Sequence, residues 1–307
     1  MLERLSTTLC GATLALFLLF ALRVPAFADD QTTPGNIETD AADLSDIFAG
    51  WAGVAAQARA TQPDWSSPIA TTTGMLEQRL RFDISREHSG NGTSTTLLDG
   101  GKGLDLIVSD SDEIQIAADP YDIRNSRTGK GALGGFNDWP FLRVEHRLAS
   151  SPAGQDDYVL TAWLSVQAPS GITRLTSNAW TWGPTIAFGK GWDNFDVQGT
   201  VGASVPASHT AKLGDQIQTN VALQYHVLKV LWPEVEVNST YYADGQRGGL
   251  NQVYLTPGVV IGRFPLGHAL MFTFGAGYQV AVSPHYRASP LTPAYDHSLV
   301  LTTRLNF

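Results

Sequence analysis

The chain has 307 residues, 43% of them hydrophobic, one cysteine and a formal charge of −9 at neutral pH. An acidic chain without a basic run excludes nucleic acid as a partner, and after residue 28 no apolar stretch is long enough to cross a bilayer as a helix. Two classes survive: a secreted soluble protein, or one that crosses a membrane as strands.

Residues 1–28 begin with Glu3 and Arg4, continue through an apolar run from Leu9 to Leu22 and end on Ala26-Phe27-Ala28. This is the layout of a secretory signal peptide cut before Asp29. Cys10 precedes the apolar core and follows Leu9, a poor match to a lipoprotein cleavage site, so the exported chain is expected to carry no cysteine and no thiolate chemistry. Cleavage removes two basic groups and one acidic group and takes the charge from −9 to −10. Residues 29–74 then read as a periplasmic or luminal segment, polar except for one amphipathic helix over about 43–59, where Leu44, Ile47, Phe48, Trp51, Val54, Ala55 and Ala58 recur at helical spacing. Plugging the lumen, covering the barrel mouth and binding a partner remain equally open roles for it.

From Met75 the period changes from 3.6 to 2, and twelve strand-like runs follow, at about 75–87, 94–109, 112–118, 139–149, 157–168, 179–190, 194–206, 217–229, 232–242, 251–263, 268–283 and 297–307. Val197, Val201 and Val205 alternate with Gln198, Thr200 and Ser204; Phe272, Phe274, Tyr278 and Val280 alternate with Thr273, Gly275, Gly277 and Gln279. Apolar residues on one face and polar or small ones on the other, over about 9–11 residues, suit a strand between lipid and a lumen. The links support this, because short ones at 110–111, 191–193, 230–231 and 264–267 alternate with long ones at 88–93, 119–138, 169–178, 207–216, 243–250 and 284–296. The link at 150–156 fits least well. Trp163, Trp180, Trp182, Trp192, Trp232, Tyr225, Tyr241, Tyr242, Tyr254 and Tyr278 fall mostly near strand ends, where membrane-interface aromatics belong, with Trp192 and Trp232 beside short turns the best girdle candidates.

The last run, Ser298-Leu-Val-Leu-Thr-Thr-Arg-Leu-Asn-Phe307, puts Leu299, Leu301, Thr303, Leu305 and Phe307 on one face. A terminal strand with an aromatic last residue resembles the assembly signal of bacterial outer-membrane barrels, with Leu301, Leu305 and Phe307 as the residues read by the barrel-assembly machinery. The segments Gly135-Phe-Asn-Asp-Trp-Pro-Phe-Leu-Arg-Val-Glu-His-Arg-Leu148, Ala162-Trp-Leu-Ser-Val-Gln-Ala-Pro-Ser-Gly171 and Gly183-Pro-Thr-Ile-Ala-Phe-Gly-Lys-Gly191 resemble the phenol-degradation (meta-pathway) outer-membrane family. Here Phe136-Asn137 stands where that family more usually has a second glycine before the aspartate. The resemblance covers about residues 75–307 and implies a channel-like or transporter-like barrel admitting small hydrophobic or aromatic solutes. It supplies no catalytic residue and no cofactor.

Facing Leu299, Leu301, Leu305 and Phe307 outward turns Arg304 inward, and the same parity turns Glu77, Arg79, Arg81, Asp83, Arg143, Glu145, Arg147, Glu234 and Glu236 inward. An Arg or Lys facing lipid at midplane would cost about 2–4 kcal/mol, so parity is a strong guide to the face. Two uses of these charges remain open: a constriction that selects permeants, and an ion-paired filling that stabilises a narrow barrel. Twelve strands leave a lumen between the filled interior of about eight and the open channel of about sixteen. His88, His146, His209 and His285 have neither a triad pattern nor metal-ligand spacing. The sequence therefore predicts an all-β, antiparallel up-and-down outer-membrane barrel of about twelve strands (75–307) in contact with outer-membrane lipid, without catalytic residue, metal or cofactor. Passive movement of small solutes is its expected role. A structural or adhesive barrel is the alternative, with a barrel hydrolase behind it.

Overall fold

The computed structural model describes residues 41–90, 92–99, 102–125, 132–228, 230–267, 270–284 and 295–307. The expected signal peptide with its cleavage site, His285 and most of the expected loop 284–296 lie outside the described residues. The chain divides into two compact units, Met1–Ser45 and Asp46–Phe307. Of the first, only the opening residues of helix α1 (Ala41–Ala60) are described. The barrel belongs wholly to the second.

Among the described residues fifteen strands form one sheet: β1 (Arg79–His88), β2 (Ser94–Leu98), β3 (Gly103–Ile107), β4 (Asp112–Ala117), β5 (Tyr121–Asn125), β6 (Ala132–Phe136), β7 (Trp139–Ser151), β8 (Tyr158–Ala168), β9 (Thr181–Trp192), β10 (Phe195–Pro206), β11 (Gln216–Tyr225), β12 (Leu231–Tyr242), β13 (Asn251–Gly267), β14 (Leu270–Ser283) and β15 (His297–Asn306). β15 pairs with β1 from Arg79↔Asn306 to His88↔His297, which closes a barrel whose wall runs β1, β3, β4, β7 and then β8 to β15. These twelve positions are all antiparallel to their neighbours. Closure leaves no edge through the wall, the condition for crossing lipid as strands.

The expected second run is divided into β2 and β3, the third and fourth are the single strands β4 and β7, and two further strands, β5 and β6, lie in the expected loop between them. β2 pairs with the upper half of β1 and β3 with its first residues, so the two share one wall position, with a crease marked by Asp99 and Gly103. β5 and β6 continue β4 and β7 in the same way, and most of the described residues of the expected long loop 119–138 are therefore strand. The breaks sit where the backbone cannot continue a flat ladder: Asp99 and Gly103 have positive φ, 56° and 147°, and a Cβ at Gly103 would run into the Ile116 carbonyl and Ala117. Pro120 supplies no N–H to the neighbouring strand. Hydrogen bonds from Ala118 N to Lys102 O (2.7 Å) and Asn137 N to Pro120 O (2.9 Å) carry the sheet across the crease.

Alternation sets which way each side chain faces. Leu80, Phe82 and Ile84 are exposed while Arg79, Arg81 and Asp83 are buried; Val235 and Val237 are exposed while Glu234 and Glu236 are buried. Ile186, Val201, Leu223, Phe274, Tyr278 and Leu299 extend the apolar exterior around the wall. An apolar surface of that extent on a chain with a buried polar interior is the inverse of a soluble protein and suits lipid. Trp192, Tyr225, Trp180 and Tyr241 lie on this outer face. Trp232 does not: it is 1% exposed and stacks on His226 at 4.5 Å between ring centres. Its parity is that of Glu234 and Glu236, which excludes it from an interfacial girdle. Trp163 and Tyr254 also face inward.

Candidate functional site

Barrel pairing begins at Arg79, not at 75, and residues 61–78 form no strand. Trp51 donates to Ile107 O (2.5 Å), and Ala55 and Ala58 pack with Leu76 and Ile107 at the short-turn end of the barrel. Beyond α1 the chain runs through the lumen as an extended strap and returns to enter β1. Backbone groups buried without a ladder need other partners, and the inward charges of the wall supply them.

At the centre of the strap, N–H groups meet carboxylates. Ile69 N donates to Glu234 Oε1 at 2.9 Å, Ala70 N to Glu236 Oε1 at 2.7 Å and Thr71 N to Glu236 Oε2 at 2.5 Å. Carbonyls meet guanidiniums and amides: Arg81 donates to Ile69 O at 2.5 Å, Arg304 to Pro68 O at 2.7 Å and also to Ser67 O, and Gln198 to Ser66 O at 2.8 Å. Towards the short-turn end, Arg263 donates to Trp65 O (2.5 Å) and pairs with Asp64 (2.7 Å), Gln62 exchanges hydrogen bonds with the backbone of Leu76 (2.8 and 2.9 Å), and Arg147 reaches Ala58 O (2.7 Å), Gln62 (2.9 Å) and Thr61 (2.9 Å). On the return limb, Thr161 donates to Gly74 O (2.5 Å) and Glu77 N to Glu113. Hydrogen bonds to charged groups are about twice as strong as neutral ones, so the strap is held firmly although no ladder bonds it to the wall.

A second group of charges is paired mostly within itself, touching the strap at Ser67 and Glu77. Arg79 reaches Asp105 at 2.7 Å and Glu77; Arg143 reaches Glu113 and Glu145 at 3.2 Å each, and Gln115 donates to Asp105 at 2.7 Å. Removing one partner from such a buried set costs about 3–5 kcal/mol, because it strands the other charge. Arg81 and Asp83 pair at 2.8 Å.

Arg79, Arg81, Asp83, Arg143, Glu145, Arg147, Glu234, Glu236 and Arg304 are therefore all buried inside the barrel. Glu77 differs in that it belongs to the strap. The structure splits the set: Glu234, Glu236, Arg81, Arg304 and Arg147 hold the strap, while Arg143, Glu145 and Arg79 lie in the ion-paired cluster. Asp105, Glu113, Gln198 and Gln224 complete it, and their strand parity is the signal that could have found them. Leu301 and Leu305 lie on the outward face of β15, and Phe307 follows its last residue, its N–H donating to Gln78 O at 3.1 Å where the two ends of the barrel sequence meet. His146 sits on the outer side, 2.7 Å from Asp112.

Cavities touch the strap along its course. One of about 260 Å³ lies on the long-loop side, lined by Thr72 of the strap, by hydroxyl, amide and glycine positions of β8 to β11, and by Lys102, Arg143 and Trp163. Another of about 410 Å³ lies on the short-turn side among Gln62, Trp65, Met75, Gln78, Arg263 and Asn306. A third, of about 160 Å³, lies between Ile69, Ala70, Asp83, Lys102 and Gln279.

No protein-family model matches the chain, and no curated protein matches it in sequence. Among solved structures, the COG4313 outer membrane channel from Pseudomonas putida F1 is similar over 79% of this chain and 100% of that one, with 13% identity and a TM-score of 0.50. The NanC porin is similar over 74% and 98%, with 9% identity and a TM-score of 0.44; OmpT, an outer membrane protein of Vibrio cholerae, over 75% and 95%, with 10% identity and 0.33. The first likeness shows an outer-membrane β-barrel fold; the other two are too loose to carry an argument.

Proposed function

We propose that this chain is a narrow outer-membrane channel for passive movement of small solutes, with strap 61–78 as its constriction. Exported after cleavage at Ala28, it would stand with the strap in its lumen and both ends of the barrel and the short turns on the periplasmic side. The observation that carries this reading is the manner in which the strap is held. It lies in a polar lumen, is bonded by side chains and not by a β ladder, and has cavities on both the long-loop and short-turn sides. A segment held by side chains can be displaced without breaking the hydrogen bonds of the wall, which a constriction requires and a filling for stability does not. Membership of the phenol-degradation family is part of the proposal, supported by residues 135–148, 162–171 and 183–191. Small aromatic or amphiphilic solutes suit the hydroxyl-lined and amide-lined wall better than purely hydrophobic ones.

The ion-paired cluster of Arg79, Asp105, Glu113, Arg143 and Glu145 favours the structural barrel as a second reading. Planar-bilayer recordings and liposome swelling separate them. Folded protein that gives discrete conductance steps and admits small solutes supports the channel; silence from folded protein in both assays sinks it.

A further inference from the structure

We propose that the cavity on the long-loop side of the strap is a binding site for a small organic anion carrying an aromatic or apolar body, with Lys102 as its principal cation. This deepens the channel reading by naming the class of solute, and rests on it for the route by which the solute arrives.

The cavity has an uneven electrostatic lining. From β8 to β11 it presents Ser165, Gln167, Thr185, Thr200, Ser204 and Asn220, which carry donors and acceptors but no charge. Its charged lining residues are Lys102 and Arg143, and no carboxylate lines it. A cleft lined by one sign of charge within low-dielectric walls concentrates the opposite ion.

The two cations are in different states. Arg143 is committed to Glu113 and Glu145 at 3.2 Å each, and its guanidinium lies 5.2 Å from the Trp163 ring centre. Lys102 sits at the crease between β2 and β3, where the backbone turns its side chain into the lumen instead of along a wall strand, and its ammonium has no hydrogen-bond or ion-pair partner at bonding distance among the described residues. Asp83 faces it across the neighbouring cavity but is bonded to Arg81 at 2.8 and 3.0 Å; Glu87 lines that neighbouring cavity and not this one. Lys102 is half-buried and attracted by the carboxylates of Asp83 and Asp99 without its ammonium bonding to either, so an entering carboxylate can make the direct contact with that ammonium. The indole of Trp163 lines the cavity beside the Arg143 guanidinium and gives the rest of the molecule an apolar contact. At about 260 Å³ the space is below the range of drug-sized sites, about 300–1,000 Å³.

Benzoate and its neutral analogue benzamide are suitable probes, with folded full chain in detergent for equilibrium dialysis and in planar bilayers for ion selectivity. Wild type should bind benzoate and not benzamide and should prefer chloride to potassium. Lys102→Gln should weaken benzoate binding about tenfold, the worth of one charge-assisted hydrogen bond, and lower the chloride preference; Lys102→Glu should reverse it. Lys212→Gln, on the exposed short helix Thr210–Leu213, should change neither. Heat-modifiable gel migration confirms that each variant is folded. Conductance with no effect of Lys102 on selectivity or benzoate binding overturns the anion site and leaves the channel standing. Benzoate binding that depends on Lys102 in a barrel that passes no ions does the reverse. Absence of both overturns both.

Discussion

Glu236 is the strongest single handle on the strap. It is fully buried on β12 and its two oxygens accept from two consecutive backbone N–H groups, Ala70 at 2.7 Å and Thr71 at 2.5 Å. Glu236→Ala leaves both donors buried without an acceptor, at about 1–3 kcal/mol each. A strap displaced into water recovers those bonds, so the substitution favours displacement by about 2–6 kcal/mol; even 2 kcal/mol raises the ratio of displaced to seated strap about 30-fold. Glu236→Gln should act in the same direction more weakly, since it keeps one acceptor oxygen but presents an amide donor to the other N–H. Glu234 holds Ile69 N next to this point, so the double variant will not be additive. The assays are single-channel recording, in which openings should become larger or more frequent, and amide hydrogen exchange, in which Ala70 and Thr71 should lose protection before the wall strands do. Glu236→Ala protein that migrates as a folded barrel, conducts like wild type and keeps these amides protected would refute this account of the strap.

Asp138 is 3% exposed and accepts from Gly171 N (3.3 Å), Ser177 N (2.7 Å) and the Ser177 hydroxyl, so Asp138→Ala should release loop 169–180 and speed trypsin cleavage after the exposed Arg174 several-fold, with the barrel itself intact. Ile186→Arg places a cation on the lipid face halfway along β9 and should lower stability in lipid vesicles by up to about 2–4 kcal/mol in urea titrations; a shift below about 0.5 kcal/mol, the usual size at an ordinary surface site, would contradict the assignment of that face. Deleting Phe307 removes the donor to Gln78 at the β1–β15 seam and the last residue of the proposed assembly signal, and should slow or abolish the heat-modifiable folded band in cells.

The wall could be read directly from the sequence because a strand between lipid and lumen obeys a two-residue rule at every position. Arg81 and Asp83 against Phe82 and Ile84, or Glu234 and Glu236 against Val235 and Val237, allow only one assignment of faces once charge is excluded from lipid. The same rule, applied without exception, also turns Trp232 inward, where position beside a turn had suggested a girdle. It failed at 119–138, because β5 and β6 are five residues each, too short to show alternation, and are set apart by Asp119-Pro120 and Asn137-Asp138.

The strap is different in kind. Residues 61–78 have no period, since their backbone partners are mostly side chains from β1, β4, β7, β8, β10, β12, β13 and β15 and not a neighbouring strand. The barrel, its two faces and its inward charges were legible in the order of residues alone, because each follows from local alternation against an apolar solvent. The task of those charges was not, since it depends on which groups meet once the wall has closed. Glu234 and Glu236 are distant in sequence from residues 69–71, and their pairing exists only because the closed barrel forces a non-strand segment and unsatisfied wall charges into one enclosed space.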